Sequence, residues 1–127
     1  METRFQSSSG SALYVFGGFG PKSPAEAERL KVATGTWETL PRMPQPRCSA
    51  AAVCLGPHLC VVGGFYGRDF LSSADVFDAL QMRWERLPAM SERRGYVAAA
   101  VLNGFVYAVG GFNGESRLAS ADAVGAA

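Results

Sequence analysis

The feature that most constrains this chain is a tandem repeat with a period of about 47 residues. Three apolar runs end on a glycine doublet followed by Phe, and the first glycines of these doublets are Gly17, Gly63 and Gly110. Trp37 and Trp84 keep the same spacing. A fixed period of this length indicates copies of one supersecondary unit, because neighbouring copies must stack to bury their apolar faces.

Polar positions follow the same register as the glycines. Arg47 and Arg94 are 47 residues apart, and each precedes the glycine doublet of its own unit by 16 residues. The tripeptide Ser-Ala-Asp ends at Asp75 and again, with the same offset, at Asp122. Because several residue types share one period, we interpret the sequence as a true repeat.

Each unit has the pattern of a four-stranded antiparallel meander. A run of small residues is followed by a turn, which in one unit is Asn103-Gly104, a strong hairpin signal between apolar runs. The apolar run that ends at the glycine doublet comes next, and then a polar loop, a mixed segment and a segment that contains Trp. Short strands with a turn about every ten residues, repeated at this period, predict an all-β fold of propeller blades.

One local signal favours helix in the third strand of the unit. Residues 25–32, with the sequence AEAERLKV, are good helix formers. Helical spacing also links Phe77, Leu80, Trp84 and Leu87. Because tertiary context routinely overrides local propensity, we give the repeat more weight and predict a strand.

The unit resembles the kelch repeat, in which an apolar strand ending in Gly-Gly precedes a Trp, a Leu-Pro-x-Met segment and an Arg. The resemblance covers nearly everything from Leu13 to Asp122, and it implies a partial kelch β-propeller of four-stranded antiparallel blades. The family usually has Pro after Tyr-Asp in one turn, whereas Ala79 follows Phe77-Asp78 here. The residues that carry the resemblance are Gly63, Gly64, Asp75, Phe77, Asp78, Trp84, Leu87, Pro88 and Met90, with Pro46 and Arg47 opening the unit.

The resemblance divides the chain into a short segment and a set of blades. Residues 1–12 form a polar N-terminal segment in which we predict no inner strand. Residues 13–127 hold the repeats, as a partial blade at 13–46, a full blade at 47–92 and a truncated blade at 93–127. Because a propeller closes with about four to eight blades, three hypotheses stand: a fragment or truncated isoform, an unreliable gene model, or self-association through exposed blade faces.

The strongest repeat positions are predicted to build the scaffold. The innermost strand must be thin where blades converge, which fits the alanines at 50–52 and 98–100. The glycine doublets fit places where the backbone takes positive φ or approaches another chain segment closely. Trp84 offers a large apolar surface to the neighbouring blade, and its indole N–H needs a hydrogen-bond partner.

Function is predicted at the end of the meander where the second-to-third loops meet the connections between blades. Aromatic and Arg side chains on loops are typical of protein recognition surfaces. By resemblance, kelch propellers grip peptide segments of partner proteins on this face, with arginines reading acidic groups. The candidate partner-binding residues are Arg47, Phe65, Tyr66, Arg68, Asp69, Arg93, Arg94, Phe112, Asn113 and Arg117.

Two of these arginines have a second interpretation. Arg47 and Arg94 could instead pair with acidic residues of their own blades, such as Asp75 and Asp122. The sequence leaves both interpretations open, because an Arg that recurs in register can serve the blade and a partner alike. If such pairs are exposed, each adds roughly 0–1 kcal/mol to stability.

Little in the sequence favours catalysis or a metal site. His58 is the only histidine and lies in a turn beside Pro57. A copper-oxidase propeller needs His and Tyr ligands at its metal, so a single histidine disfavours that function. Cys48, Cys54 and Cys60 are six residues apart, which is not zinc-finger spacing, and we expect them to fill core positions. No phosphate-binding loop and no dinucleotide fingerprint follows a strand.

Composition bounds the partners and the location. The chain has 127 residues, with 12 Lys and Arg against 11 Asp and Glu, so it has no basic field for nucleic acid. No apolar run approaches the roughly 18 residues of a membrane span, and the first residues lack the apolar centre of a signal peptide. The three cysteines disfavour a secreted disulfide scaffold. We expect a cytoplasmic location, with the nucleus as the alternative.

The predicted function is that of a non-enzymatic protein–protein interaction module or scaffold that uses no cofactor. The expected partner is a protein, with no nucleic acid and no membrane. By resemblance, such modules serve as substrate-recognition adaptors of ubiquitin ligases or as actin-associated proteins. The alternatives are a carbohydrate-active or oxidoreductase propeller enzyme, and a non-functional fragment of a longer kelch protein.

Overall fold

The computed structural model describes residues 3–9 and 12–126, and these residues form thirteen β-strands and no helix. The strands make two four-stranded sheets, one three-stranded sheet and one two-stranded hairpin, all antiparallel. The predicted all-β fold is therefore confirmed. In chain order the strands are β1 Thr3–Ser9, β2 Ala12–Phe19, β3 Ala27–Lys31, β4 Thr36–Leu40, β5 Ala51–Leu55, β6 His58–Val62, β7 Phe65–Tyr66, β8 Asp69–Phe70, β9 Ala74–Asp78, β10 Arg83–Leu87, β11 Ala98–Leu102, β12 Phe105–Val109 and β13 Ala121–Ala126.

Blade 1 is the sheet β1-β2-β3-β4. Its inner strand β1 pairs with β2 in a register that sets Ser9 opposite Ala12. The sequence predicted no strand within residues 1–12 and only a partial blade at 13–46, and this prediction is wrong for Thr3–Ser9. A strand forms through main-chain hydrogen bonds, so a polar run can pair with an apolar neighbour such as β2.

Blade 2 is the sheet β10-β9-β6-β5, and blade 3 is the sheet β11-β12-β13. The hairpin β7-β8 lies in the loop between β6 and β9 of blade 2. The third strands β3 and β9 are extended, although local propensity favoured helix in both segments. Tertiary pairing with β2 and β6 decides their conformation.

The turn between β9 and β10 forms without the proline that kelch units usually carry. The Asp78 carboxylate accepts hydrogen bonds from the backbone N–H groups of Leu80 at 2.8 Å and Gln81 at 3.1 Å. These bonds lower the pKa of Asp78. Met82 closes the turn with a φ of 57°. An Asx-type turn therefore replaces the rigidity that proline would supply.

The interface between blades 1 and 2 is built around Trp84. Its indole ring lies 5.5 Å from the Phe16 ring of blade 1, edge to face, and 5.1 Å from Phe77 of its own blade. The indole N–H donates a hydrogen bond to the carbonyl of Pro41 at 2.9 Å. Leu59 adds a fully buried side chain to this core. The predicted role of Trp84 as a link to the neighbouring blade is thus what the structure shows.

The interface between blades 2 and 3 has smaller side chains. Val62 and Ala74 of blade 2 pack with Val106 and Ala108 of blade 3, and all four are buried. The inner strand β5 lies next to both β1 and β11. Small side chains let these inner strands approach one another, as the crowding argument predicted.

The first two glycine doublets serve close approaches between neighbouring blades. In the second doublet Gly63 and Gly64 have φ values of 62° and 93°. The Gly64 N–H donates to the carbonyl of Arg94, in the next unit, at 2.7 Å. A Cβ on Gly64 would lie 2.5 Å from the carbonyl oxygen of Cys48. Glycine is therefore required for two reasons: the backbone is in the left-handed region, and there is no room for a side chain.

Blades 1 and 3 each have a face with no neighbouring blade among residues 3–9 and 12–126. On blade 1 this face includes Trp37, the counterpart of Trp84, which is 55% exposed. On blade 3 the outward positions of β12, Phe105 and Val109, are each 47% exposed, whereas Val106 between them is buried. We call these surfaces the outer face of blade 1 and the outer face of blade 3.

Candidate functional site

Arg47 lies inside blade 2 and is 0% exposed. Its guanidinium donates to the Gly63 carbonyl at 2.7 Å, to the carbonyl and hydroxyl of Ser73 at 2.9 Å each, and to the Asp75 carboxylate at 2.7 Å. Burial lowers the pKa of Arg47, and its hydrogen bond with Asp75 opposes that effect. These contacts offset the large free-energy cost of burying a charge. The guanidinium of Arg47 therefore has a structural role within blade 2.

Asp75 is shared between two arginines. Its second carboxylate oxygen accepts a hydrogen bond from Nε of Arg86 at 2.7 Å. Asp75 is buried, whereas half of the Arg86 side chain is exposed. Among the described residues, Nε of Arg47 is the one buried side-chain polar atom without a hydrogen-bond partner. Arg47, Asp75 and Arg86 form an ion-pair network that runs from the interior of blade 2 to its surface.

Arg94 repeats this arrangement in blade 3. It donates at 2.9 Å to the Gly110 carbonyl, to the carbonyl and hydroxyl of Ser120, and to the Asp122 carboxylate. The sequence separations of 16, 26 and 28 residues are the same as those around Arg47. Burial acts to raise the pKa of Asp122, but hydrogen bonds from Ser91 and Arg94 outweigh it and lower the pKa.

The structure corrects the interpretation of Arg47 and Arg94 as partner-binding residues. Both are completely buried, so no partner can contact their guanidinium groups in this conformation. The alternative interpretation, pairing with Asp75 and Asp122, is the one the structure shows. The physical reason is that each guanidinium satisfies carbonyl oxygens where a blade bends at its glycine doublet, and this demand recurs with the repeat.

Five aromatic rings from three blades meet at the loop end of the structure, and we call this surface the aromatic face. The centroids of Phe19 and Phe65 are 5.6 Å apart, and those of Phe65 and Phe70 are 5.4 Å apart. Tyr96 lies 5.6 Å from Phe65, and Phe112 meets Phe70 edge to face at 5.4 Å. Neighbouring rings at these distances form a continuous apolar row.

The repeat itself positions most of this row. Phe19, Phe65 and Phe112 each follow a glycine doublet, so they recur at the same place in successive blades. Phe65 pairs with Phe70 across the β7-β8 hairpin. The Phe70 ring covers Gly95, where an added Cβ would lie 2.6 Å from the ring. A glycine at that position lets the hairpin of blade 2 lie over the start of blade 3.

Three members of the aromatic face were missed by the sequence reasoning. Phe19 could have been found, because it follows its doublet as Phe65 and Phe112 do. Tyr96 and Phe70 carried no such signal, since the counterpart of Tyr96 in the preceding unit is Ser49. Phe19 and Tyr96 are both strongly exposed, at 50% and 63%.

The remaining predicted residues surround the aromatic face. Tyr66, Arg68 and Asp69 lie at the exposed tip of the β7-β8 hairpin. Arg117 lines a depression of about 440 Å³ together with Tyr96, Gly111 and Phe112. Arg93, Asn113 and Glu115 line a second depression of about 350 Å³ with Ser91 and Glu92. Of the candidates, only Arg47 and Arg94 are removed from the surface by burial.

The exposed arginines differ from the buried ones in their partners. Arg68, Arg93 and Arg117 make no ion pair with any described residue. Asn113 is partly used, because its side-chain oxygen accepts hydrogen bonds from the N–H groups of Glu115 and Ser116 at 2.8 Å each. The aromatic face therefore carries cationic groups whose hydrogen-bond donors are available to an added ligand.

Three other features would indicate a different function in the part of the chain that the structure describes: a metal site, a reactive cysteine or a membrane-spanning helix. No group of three or more His, Cys, Asp or Glu side chains there could hold a metal ion. Cys48 and Cys60 are buried as expected, and burial raises the pKa of Cys60 to about 11. Cys54 is instead half-buried. Within the same residues, no helix has the length and apolar character needed to cross a membrane.

Stacked antiparallel blades, linked by glycine doublets and buried arginines, define this chain as part of a β-propeller. A family model described as the Kelch motif matches residues 7–44, 46–91 and 93–123, which is most of the chain. The chain belongs to the kelch-repeat family.

Several characterised proteins resemble this chain over part of its length. Kelch domain-containing protein 8B of Rattus norvegicus is 40% identical over 57 residues, which are 43% of this chain and 16% of that protein. An F-box/kelch-repeat protein of Arabidopsis thaliana is 35% identical over 77 residues, 56% of this chain and 22% of the relative. Kelch-like protein 25 of Rattus norvegicus is 33% identical over 69 residues, which are 54% of this chain and 12% of that protein. The matches thus span less than a quarter of each relative.

A solved structure confirms the fold. The structure of YjhT superposes with a TM-score of 0.77 at 20% sequence identity, and the match covers 88% of this chain and 34% of YjhT. At this level of identity the likeness establishes the propeller architecture alone. The predicted partial kelch β-propeller is therefore confirmed.

Proposed function

We propose that this chain is a non-enzymatic protein-binding module that takes an extended peptide segment of a partner protein on its aromatic face. The observation that carries the proposal is the row of five rings, contributed by three blades, with unpaired arginines beside it. Aromatic and Arg side chains dominate the energetics of protein interfaces, because they bury a large area and offer directional hydrogen bonds.

The chemistry of the face suggests what the peptide carries. The rings of Tyr96 and Phe112 offer apolar contact, and Arg117 in the same depression offers a fork of donors for a carboxylate. Asp69, Glu92 and Glu115 add negative charge around the row. A peptide with an apolar or aromatic residue next to an acidic one, and with few like charges elsewhere, fits this mixture.

Family membership supports binding as the general role. The relatives are named for their kelch repeats, and one is named as an F-box/kelch-repeat protein. We extend this by analogy to a substrate-recognition role, as in ubiquitin-ligase adaptors, or to an actin-associated role, in the cytoplasm. Copies of the chain are further proposed to associate through the outer faces of blades 1 and 3.

A selection experiment tests the proposed site without a known partner. Random peptides displayed on phage are selected on the immobilised chain, and the enriched sequences are synthesised and titrated. Tyr96→Ser and Arg117→Ser are each expected to weaken their binding about tenfold, equivalent to about 1.4 kcal/mol. Leu80→Ser, at an exposed position in the β9–β10 turn, is the matched control and should leave binding unchanged.

If both substitutions leave the affinity of the enriched peptides unchanged, and substitutions elsewhere on the protein lower it, the binding site lies away from the aromatic face. Peptides carrying no acidic residue would remove the proposed role of Arg117 while keeping the apolar row as the site.

A further inference from the structure

A polar depression of about 410 Å³ lies in blade 2, beside the aromatic face. Its lining includes Arg86 of β10, Arg93 of the connection to blade 3, and Gln45 of the connection from blade 1. Phe70, a member of the aromatic face, forms part of the wall. The depression therefore adjoins the surface on which the peptide segment is proposed to bind.

Neither arginine of this depression belongs to the repeat. In the repeat register, Arg86 corresponds to Thr39 of blade 1, and Arg93 corresponds to Pro46. The buried arginines of the blades, by contrast, recur in register and make the same structural contacts in successive units. Two arginines that depart from the repeat and line one depression indicate a role beyond building the blade.

The ion-pair network of blade 2 has one more positive than negative group. Arg47 and Arg86 share the single carboxylate of Asp75, each at 2.7 Å. Burial is the main cause that lowers the pKa of Arg47; its hydrogen bond with Asp75 opposes this effect, and the charge of Arg86 adds to it. Arg47 and Asp75 are fully buried, whereas 51% of the Arg86 side chain is exposed. The unbalanced positive charge is therefore presented to solvent at Arg86.

The depression has hydrogen-bond donors that the fold does not use. Arg86 donates from Nε to Asp75, and its two terminal nitrogens make no hydrogen bond with any described residue. Within the described ranges, neither the exposed Arg93 side chain nor the Ser72 hydroxyl has a hydrogen-bond partner. Asp69 is the one carboxylate in the lining, and it makes no ion pair with any described residue. The lining thus offers two guanidinium groups against one carboxylate.

We propose that this depression binds a phosphate group carried by a phosphorylated side chain of the partner segment on the aromatic face. A phosphate monoester has a charge of about −1.5 to −2 at pH 7 and three acceptor oxygens, which suit the forked donors of Arg86 and Arg93. Because Phe70 borders both surfaces, one segment can place an apolar residue on the rings and a phosphate beside them. The inference rests on the function proposed above and adds phosphorylation as the condition for tight binding.

A phosphopeptide selection tests the inference on the intact chain. The probe is a library of short peptides with phosphoserine at the centre and mixed residues elsewhere, and the enriched sequence is synthesised with phosphoserine, serine or glutamate at the centre. Fluorescence anisotropy at constant ionic strength compares the three peptides. We expect the phosphoserine peptide to bind at least about tenfold more tightly than the serine peptide. The glutamate peptide should lie between them, because a carboxylate has less charge and fewer acceptor oxygens.

Substitutions in the protein locate the phosphate. Arg93→Gln should weaken the phosphoserine peptide about tenfold and leave the serine peptide unchanged. Arg86→Gln should act in the same way, with circular dichroism monitoring the fold because Asp75 loses one partner. Arg83→Gln removes the same charge from the same strand outside the depression, so it is the matched control and should change neither affinity. Asp69→Asn removes the carboxylate from the lining and should tighten the phosphoserine peptide.

Competition with inorganic phosphate distinguishes a peptide site from a site for the free ion. Inorganic phosphate is expected to displace the phosphoserine peptide only far above the dissociation constant of the peptide, because the ion gains no contact with the rings. Displacement at equal concentration would overturn the link to a peptide. Equal affinity of the phosphoserine and serine peptides, or equal effects of Arg93→Gln and Arg83→Gln, would overturn the phosphate site itself. If Arg86→Gln fails to fold, Arg93→Gln and the peptide comparison still decide the question.

Tyr96→Ser separates this inference from the function on which it rests. If Tyr96→Ser weakens both peptides while phosphoserine gives no advantage, the phosphate site is refuted and the peptide site on the aromatic face stands. If phosphoserine binding depends on Arg93 but not on Tyr96, the phosphate site stands and the peptide site on the aromatic face is refuted.

Discussion

The guanidinium of Arg47 donates a hydrogen bond to the carboxylate of Asp75 across 2.7 Å, and neither residue is exposed. The same Arg47 accepts, through its main-chain carbonyl, a hydrogen bond from the Gly18 N–H of blade 1 at 2.9 Å. One residue therefore organises the interior of blade 2 and holds blade 1 against it. This dual role makes Arg47 a sensitive position for stability.

Arg47→Ala is expected to lower the free energy of unfolding by about 3–5 kcal/mol, because it leaves the Asp75 charge buried without its main partner. Arg47→Lys should recover only part of this loss, since one ammonium group cannot reproduce the forked contacts to Gly63, Ser73 and Asp75. Arg68→Ala, at an exposed Arg without an ion pair, is the control and should change stability by less than about 0.5 kcal/mol. Urea unfolding followed by circular dichroism measures all three; equal effects of the two Ala variants would contradict the structural role.

Gly63→Ala and Gly56→Ala form a matched pair. Both glycines have nearly the same φ, 62° and 61°, so the conformational cost of Ala is the same, about 1–2 kcal/mol. An added Cβ on Gly63 would collide with the main-chain carbonyl of Arg94, whereas Gly56 has nothing within 4 Å. We expect Gly63→Ala to destabilise the fold far more than Gly56→Ala, and thermal unfolding of the two variants checks this. Similar melting temperatures would show that the doublet tolerates a side chain.

Trp84→Ala should destabilise the chain strongly, near the lower end of the about 3–5 kcal/mol typical of Trp→Ala in a core, because Trp84 is half-buried. The change removes its ring contacts with Phe16 and Phe77 and its bond to Pro41. Trp37→Ala, at the equivalent position on the outer face of blade 1, should cost much less in the isolated chain. Denaturant titrations of both variants give the comparison, and a larger effect at Trp37 would mean that its face is covered.

The pKa of Asp122 provides a test at acidic pH. Because hydrogen bonds from Ser91 and Arg94 lower this pKa, Asp122 adds stability above the ordinary Asp pKa of about 3.9, and this stability is lost as pH falls through the lower folded value. Ser91→Ala removes a hydroxyl bond of 2.6 Å and should raise the pKa of Asp122. NMR titration of the carboxyl groups measures the shift, with Asp78, held by its own turn, as the internal control. An unchanged Asp122 titration would show that Ser91 has no such role.

Association through the outer blade faces is expected to depend on Val109 and Trp37. Sedimentation equilibrium of the chain should show concentration-dependent association, because both exposed faces correspond to faces that are buried between blades elsewhere. Val109→Glu and Trp37→Glu should each weaken it about tenfold. Leu80→Glu, which introduces the same charge in an exposed turn, should not. A stable, cooperatively unfolding monomer at all concentrations would contradict the proposal.

Most of the fold could be predicted from the sequence because the repeat shows which residues recur. Arg47 and Arg94 each precede a glycine doublet by the same number of residues. In the structure each arginine donates a hydrogen bond to the first glycine of that doublet, at the carbonyls of Gly63 and Gly110. The role of these arginines could not be predicted, because burial depends on neighbouring chain segments rather than on spacing. Strand β1 was missed for a related reason, since main-chain pairing leaves no mark in a polar sequence.

The candidate site was only partly predictable. The aromatics after each doublet, such as Phe65 and Phe112, follow from the repeat, and their place on loops pointed to a surface. Phe70 and Tyr96 join them through the folding of the β7-β8 hairpin over Gly95, which depends on tertiary geometry. Local sequence signals report where a loop begins and do not report what it covers.

The contacts of Arg47 and Arg94 also bear on how such chains vary in length. Each arginine uses its carbonyl for the doublet just before it and its guanidinium for the doublet just after it. No bond in this scheme reaches beyond an adjacent unit, so a unit could be duplicated or deleted while every junction keeps its chemistry. The bonds of these two arginines therefore set no limit on the number of blades, which the curvature of the closing ring has to supply.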